Sequence, residues 1–183
     1  MFLSFLKPKI TCKELAEKLA PRLVKQVIEG FEEGKRVMGD HAWMIESSNS
    51  TTEADKIGEW VLFNIAGYIN GCRSSMNQDA IHFEFVRSFI FECGRCLMRR
   101  GIFVTESEYE RQAMDRVTNY LNMFTGIDID KEMHNIASAF LKNVACNQDD
   151  IASRMVVAGS FMAQSTLTKT MLDGIQKSYR IIL

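Results

Sequence analysis

TCKELAEKLAPRLVKQVIEGF, residues 11–31, decides the fold class of this chain. Leu15, Leu19, Leu23, Val27 and Phe31 recur every fourth residue and line one face of an α-helix. Ala16, Ala20, Val24 and Ile28 form a second apolar row beside the first. Thr11 and Glu14 stand three residues apart at the start, the pattern of a capping box, in which each side chain satisfies a backbone donor near the other. Pro21 keeps the stripe in phase but removes one backbone donor, which predicts a kink or short break near residue 20.

The same grammar continues outward. A second helix is expected from about 52 to 73, with Ile57, Val61, Ile65, Tyr68 and Cys72 on its core face. Gly67 and Gly71 sit one turn apart, a spacing that lets another helix come close. Glu59, Asn64 and Asn70 argue against reading that spacing as a membrane motif. A third helix is expected from about 78 to 100, stopped by Gly101. Thr105 and Glu108 form a second capping box, with Val104 placed to staple onto Tyr109, and the helix they open carries Ala113, Val117, Tyr120, Leu121 and Phe124 before Gly126 ends it. A fifth helix, about 129–145, buries Met133, Ile136, Ala137, Phe140, Leu141 and Val144. Asp149 or Asp150 caps a sixth. That last helix is rich in small residues and uncharged from 155 to 168, which makes it the expected central helix. No segment alternates with the period of a strand.

One connection breaks the pattern. GDHAWMIESSNST, residues 39–51, is the longest link and yet contains Trp43, Met44 and Ile45. Long loops in compact domains are often functional. An apolar patch within one needs something to dock on, so His41, Trp43, Met44 and Ile45 form a candidate interaction surface.

Composition narrows the function. A net charge of −1, with both signs spread through the chain, lacks the basic excess of a nucleic-acid-binding protein. The uncharged runs Trp60–Cys72 and Met155–Thr168 fall short of the ~18 apolar residues of a membrane span. The opening MFLSFL is too short for a signal sequence, and five cysteines at 12, 72, 93, 96 and 146 form no disulfide framework. A cytoplasmic protein is expected.

The chemistry-bearing residues are sparse. Cys93 and Cys96 make a C-x-x-C pair, but near the C-terminal end of the third helix, where the helix dipole opposes a thiolate. Cys93 falls on the apolar face formed by Phe83, Val86, Ile90 and Leu97, and Cys96 at its margin beside Arg95 and Arg99. Zinc would need two further ligands, and no second C-x-x-C or paired histidine motif occurs. Core packing is the reading adopted for both thiols. Asp79-x-x-His82 occurs once where a di-iron bundle needs two E-x-x-H pairs. Asp128, Asp130 and Glu132 lack the glycine and terminal glutamate of a calcium loop and fit a helix start. No phosphate loop, dinucleotide fingerprint or nucleophile elbow is present.

These readings converge on an all-α, single-domain bundle of about six helices over residues 1–183, packed around its third and sixth helices. Expected is a non-enzymatic, adaptor-like interaction or regulatory protein, homo-oligomeric, with no cofactor, metal, nucleic acid or membrane. The unspent second row of the first helix, together with the Trp43 loop, is the expected dimer face. The alternative is a Phe/Met-lined pocket for a small apolar ligand. A third reading is a metal or redox enzyme built on Cys93 and Cys96.

Overall fold

The computed structural model describes residues 7–38, 51–76, 78–146 and 150–183. Six helices are formed among them: α1 (Cys12–Met38), α2 (Glu53–Ser75), α3 (Asp79–Met98), α4 (Glu106–Met123), α5 (Ile129–Asn143) and α6 (Ile151–Ser178). The protein is an all-α bundle, as the periodicities predict. Two three-residue strands, β1 (Lys9–Thr11) and β2 (Arg180–Ile182), add a parallel pair with Ile10 opposite Ile181. Elements this short show no alternation in sequence. Their pairing follows from Ile10 and Ile181, both buried, and from the hydrogen bond of the Arg180 amide to the Pro8 carbonyl at 2.8 Å.

Local signals explain most helix ends. Thr11 and Glu14 form the reciprocal cap, with bonds of 2.8 Å from the Thr11 amide and 3.1 Å to the Thr11 hydroxyl. The helical backbone then runs through Pro21 without a break. Thr52 and Asp55 form another full box at the start of α2. At α4 the Thr105 hydroxyl accepts from the Glu108 amide at 3.2 Å. The expected staple is shifted by one residue. Val104 is 86% exposed, and Phe103 packs edge-on against Tyr109 instead, with ring centroids 5.3 Å apart. Asp150, rather than Asp149, caps α6. Gly101 takes a φ of +70° and closes α3, its amide bonded to the Met98 carbonyl and that of Ile102 to Leu97. The same turn ends α5 at Asn143, earlier than the sequence suggests, because Ala145 adopts a φ of +56°.

The centre of the bundle differs from the expectation. Every residue from Gly58 to Ile69 is buried, so α2 is the helix that the others surround. α6 buries only Ser153, Val157, Phe161, Thr168 and Leu172, a single stripe. The physical reason lies in side-chain volume. Trp60, Val61, Leu62, Phe63 and Ile65 put bulk on all sides of α2, whereas α6 has large apolar groups on separate faces with small ones between. Phe63 is the hub, 5.1 Å from Tyr120 of α4, 5.0 Å from Phe140 of α5 and 5.6 Å from Phe161 of α6 between ring centroids. Both apolar rows of α1 are likewise consumed within the chain. Leu15, Ala16, Leu19, Ala20, Leu23, Val24 and Val27 are all buried, chiefly against α3 and also α2, so α1 has no spare apolar face to offer another subunit.

α2 and α6 approach closely where the sequence places Gly67 and Gly71. A Cβ on Gly71 would lie 2.3 Å from the Ser165 carbonyl oxygen and 2.8 Å from the Thr168 Cβ. Polar side chains fasten the same seam: Asn70 donates to the Ser165 hydroxyl at 2.9 Å, and Ser75 to Asp173 at 2.8 Å. Because the obstructing atoms are backbone and Cβ, Gly71→Ala is expected to cost at least about 2 kcal/mol. Gly30→Ala on α1, where an added methyl meets nothing within 4 Å, should stabilise by about 0.5–1 kcal/mol. Urea denaturation of both variants checks the contrast, and equal effects would refute the close crossing.

Candidate functional site

α3 carries a wide apolar arc. Phe85, Phe89, Cys93 and Leu97 recur every fourth residue and are fully buried, with Phe89 stacked on Tyr68 at 4.3 Å between centroids. Val86 and Ile90 flank Leu97 on the same arc, partly buried against the core, and Phe83 lies at its outer edge on the α4 side. The sequence reading placed Cys93 and Leu97 with Phe83, Val86 and Ile90; in the structure Phe83 is 69% exposed, and Phe85 and Phe89, which that reading left out, are buried instead.

Between α3 and α4 lies an apolar groove of about 760 Å³. Tyr109, Ala113 and Val117 of α4 and Ile69 of α2 form its floor, so α2 shows through between the two helices. One wall is Phe83, Val86, Ile90, Phe91 and Met98; the other is Met114 and Leu121. Near one end the helices touch at Gly94, where a Cβ would lie 2.4 Å from the Tyr109 ring. The Tyr109 hydroxyl donates to the Ile90 carbonyl at 2.7 Å and fixes that contact. Lys13, Glu84, Arg87, Glu106 and Glu110 line the rim. The groove is open on its solvent side: Phe91 and Met114 are 46% and 64% exposed.

The residues singled out from sequence fall elsewhere. His41, Trp43, Met44 and Ile45 lie outside the described residues. Cys93 is buried in the core and Cys96 partly buried, as their helical phase implies. Burial pushes the Cys93 thiol well up, and it raises that of Cys96 too, against the pull of Arg99. No group of three His, Cys, Asp or Glu among the described residues is arranged to hold a metal, and no helix is long and apolar enough to cross a membrane. His134 meets the Arg154 guanidinium at 3.1 Å instead of forming a ligand set. The Nε2 of His82 is buried without a hydrogen-bond partner, and burial, seconded by Arg73, lowers that ring's pKa.

One polar cluster was missed. Glu59 of α2 accepts hydrogen bonds from the Tyr120 hydroxyl and, at 2.9 Å, from the Asn143 amide, which also donates to Tyr120. Arg116 sits 3.6 Å from the second Glu59 oxygen and donates to the Asn143 carbonyl at 2.6 Å. Burial raises the Glu59 carboxyl, opposed by Tyr120, Asn143 and Arg116. The four side chains satisfy one another inside the α2–α4–α5 junction and do not line the groove, so the cluster serves packing register. Its only signal in the sequence is Glu59, a carboxylate at the edge of the Trp60–Cys72 uncharged run.

Comparisons with protein families, curated proteins and solved structures yield no match to this chain.

Glu132 makes a clearer electrostatic prediction. Its carboxylate accepts from the amides of Thr125 at 3.0 Å and Gly126 at 2.8 Å, and from the Thr125 hydroxyl, which fastens the α4–α5 turn. Led by the Thr125 bond, these donors hold its pKa down to about 2 from an ordinary 4.5. The folded chain therefore binds fewer protons than the unfolded one between those values. The stability Glu132 contributes is complete above pH 4.5 and is lost as pH falls to about 2. Glu132→Gln should lower the urea midpoint at neutral pH and flatten its fall below pH 4.5. A variant with the wild-type slope in acid would overturn the assignment.

Proposed function

We propose that this chain is a non-enzymatic, adaptor-like interaction module whose α3–α4 groove receives an amphipathic helix from a partner protein. The exposed apolar edge of α3 carries the reading. A Phe83 left 69% exposed forgoes most of the roughly 1.5–3 kcal/mol that burying a large apolar side chain supplies, and a partner seated against Phe83, Ile90 and Met114 recovers it. From Phe83 to the contact at Gly94 the wall is about 16 Å long at 1.5 Å per residue, room for three helical turns anchored at i, i+3, i+4 and i+7. On the rim Glu84, Glu106 and Glu110 outnumber Lys13 and Arg87, which favours lysine or arginine beside the partner's apolar stripe.

The proposal includes self-association and a reducing, cytoplasmic setting. Support for the setting is the set of five cysteines, all free. A second reading, a small apolar ligand, draws on the groove's volume of about 760 Å³ and on Phe83, Phe91, Met98 and Met114 in its lining. Against it stands the exposure of the same residues, since ligand sites enclose most of their occupant. The redox or metal reading loses ground with the burial of Cys93.

A surface-displayed library of amphipathic helical peptides, with an apolar i, i+3, i+4, i+7 face and randomised flanks, tests the groove. Selected binders should carry basic flanks and lose at least tenfold in affinity against Phe91→Asp or Met114→Asp, both at exposed positions. Binders indifferent to both substitutions would overturn the groove as the docking site. An apolar small molecule retained in native mass spectrometry, and lost in Phe91→Asp, would transfer the reading to the ligand.

A further inference from the structure

The rim of the α3–α4 groove is charged unevenly along its length. α3 and α4 form a hairpin that turns at Gly101, and they touch where Gly94 meets the Tyr109 ring. Glu106 and Glu110 stand one turn apart on α4 beside that contact, both exposed. At the far end the Cys12 thiol donates to the Ile81 carbonyl at 3.5 Å, so the start of α1 lies against the start of α3. Lys13 is thereby brought to the rim near Phe83, with Arg87 one turn farther along α3. Glu84 stands at that end too and accepts from the Ser88 hydroxyl at 3.5 Å. Glu92 adds nothing to either end, because its buried carboxylate is paired with Arg95 at 3.0 Å. The rim therefore carries −2 at the hairpin end, from Glu106 and Glu110, and +1 at the far end, from Lys13 and Arg87 less Glu84. Among the described residues, Lys13, Arg87, Glu106 and Glu110 form no ion pair within the chain.

We infer that the groove receives a helix whose charges are segregated along its axis: lysine or arginine at the end beside Glu106 and Glu110, aspartate or glutamate at the end beside Lys13 and Arg87. The inference rests on the helix-binding reading of the groove and adds to it the charge pattern of the partner and the direction in which it lies.

Distance makes the two ends independent. Arg87 is seven residues before Gly94, and Glu106 three residues before Tyr109, so the two groups lie about 15 Å apart along the groove at 1.5 Å per residue. That exceeds the Debye length of about 8 Å at physiological ionic strength. Each end thus acts on the part of the partner nearest to it, and the opposite charges of the rim do not cancel. On the partner the two groups belong about ten residues apart, close to three turns. Between them Ile90, Phe91 and Met114 offer an apolar wall that accepts a helix laid either way. Laid in reverse, the same helix would set its cations against Lys13 and Arg87 and its carboxylates against Glu106 and Glu110, and like charges so placed exclude that orientation.

Two synthetic peptides of one composition and one apolar i, i+3, i+4, i+7 face test the inference. One carries its lysines in the first turn and its glutamates in the last; in the other the two are interleaved. The segregated peptide should bind about fivefold tighter at low ionic strength, the sum of a few exposed ion pairs. Its advantage should vanish in 1 M salt, where the Debye length falls to about 3 Å. Lysine in a first turn opposes the peptide's own dipole, so greater helicity in the free peptide does not account for such a preference. Direction is read by disulfide trapping in a Cys96→Ser background, the other four cysteines being buried. With a cysteine at its lysine-bearing end, the segregated peptide should bridge to Ser107→Cys at the hairpin end and not to Thr118→Cys at the far end. Combining Lys13→Glu, Arg87→Glu, Glu106→Lys and Glu110→Lys, all at exposed positions, should reverse that choice. Equal affinity of the two peptides, or equal bridging at both positions, with binding still lost in Phe91→Asp, would overturn the charge reading and leave the groove standing. Binding by neither peptide, or binding indifferent to Phe91→Asp, would overturn both.

Discussion

Complete burial of α2 is the constraint from which the arrangement of the other helices follows. A helix covered on every side must be approached from several directions, and its sequence supplies a different surface for each. Gly67 and Gly71 give α6 a groove that admits its backbone. Phe63 and Trp60 give α5 an aromatic surface, with Phe140 seated edge-on to Trp60 at 5.5 Å. Glu59 gives α4 and α5 a single hydrogen-bonding solution through Tyr120 and Asn143. The last matters for uniqueness. Apolar contacts tolerate a shift of register, whereas a buried carboxylate left unpaired costs several kcal/mol. Sliding α4 by one residue would break that cluster, so the polar group selects the register that the aromatic core then stabilises.

The groove follows from the same economy. α3 spends Phe85, Phe89, Cys93 and Leu97 on the core and is held to α4 by the Tyr109–Gly94 contact. Beyond that contact α4 packs on α2, with Ile69 left as floor between the two helices. Phe83, Val86 and Ile90 consequently face a trough that nothing in the described chain fills. Substitutions at its exposed positions, Phe83, Phe91 and Met114, can alter binding without unfolding the protein, because those side chains carry little of the core's burial energy.

What was legible in the sequence was local. The capping residues Thr11, Glu14, Thr105 and Asp150 act over three positions, and the stripe of α1 repeats within one helix, so each could be read without knowing its neighbours. The Gly67–Gly71 spacing announced a close crossing but not with which helix. On α3 the apolar arc is too wide for sequence to say which edge is buried: Phe83, Val86, Ile90 and Leu97 read as the core face, whereas the packing of the other helices buries Phe85 and Phe89 and leaves Phe83 exposed. The Glu59 cluster was illegible for a related reason. Its members lie at 59, 116, 120 and 143, a juxtaposition that exists only after three helices have packed. The Ile10–Ile181 strand pair joins residues still farther apart in sequence.

The two uncharged runs, in α2 and α6, show why composition alone could not choose the central helix. Absence of charge is permitted wherever water is excluded, whether by the chain's own helices or by another molecule. In α2 the exclusion is intramolecular, and bulky residues occupy all sides. In α6 a single stripe, with Val157, Phe161 and Leu172 on it, is buried, and Met155 and Leu167 stand exposed on the opposite side. The lack of charge from 155 to 168 there reflects small and hydroxyl-bearing residues between the large ones, not a helix enclosed on all sides.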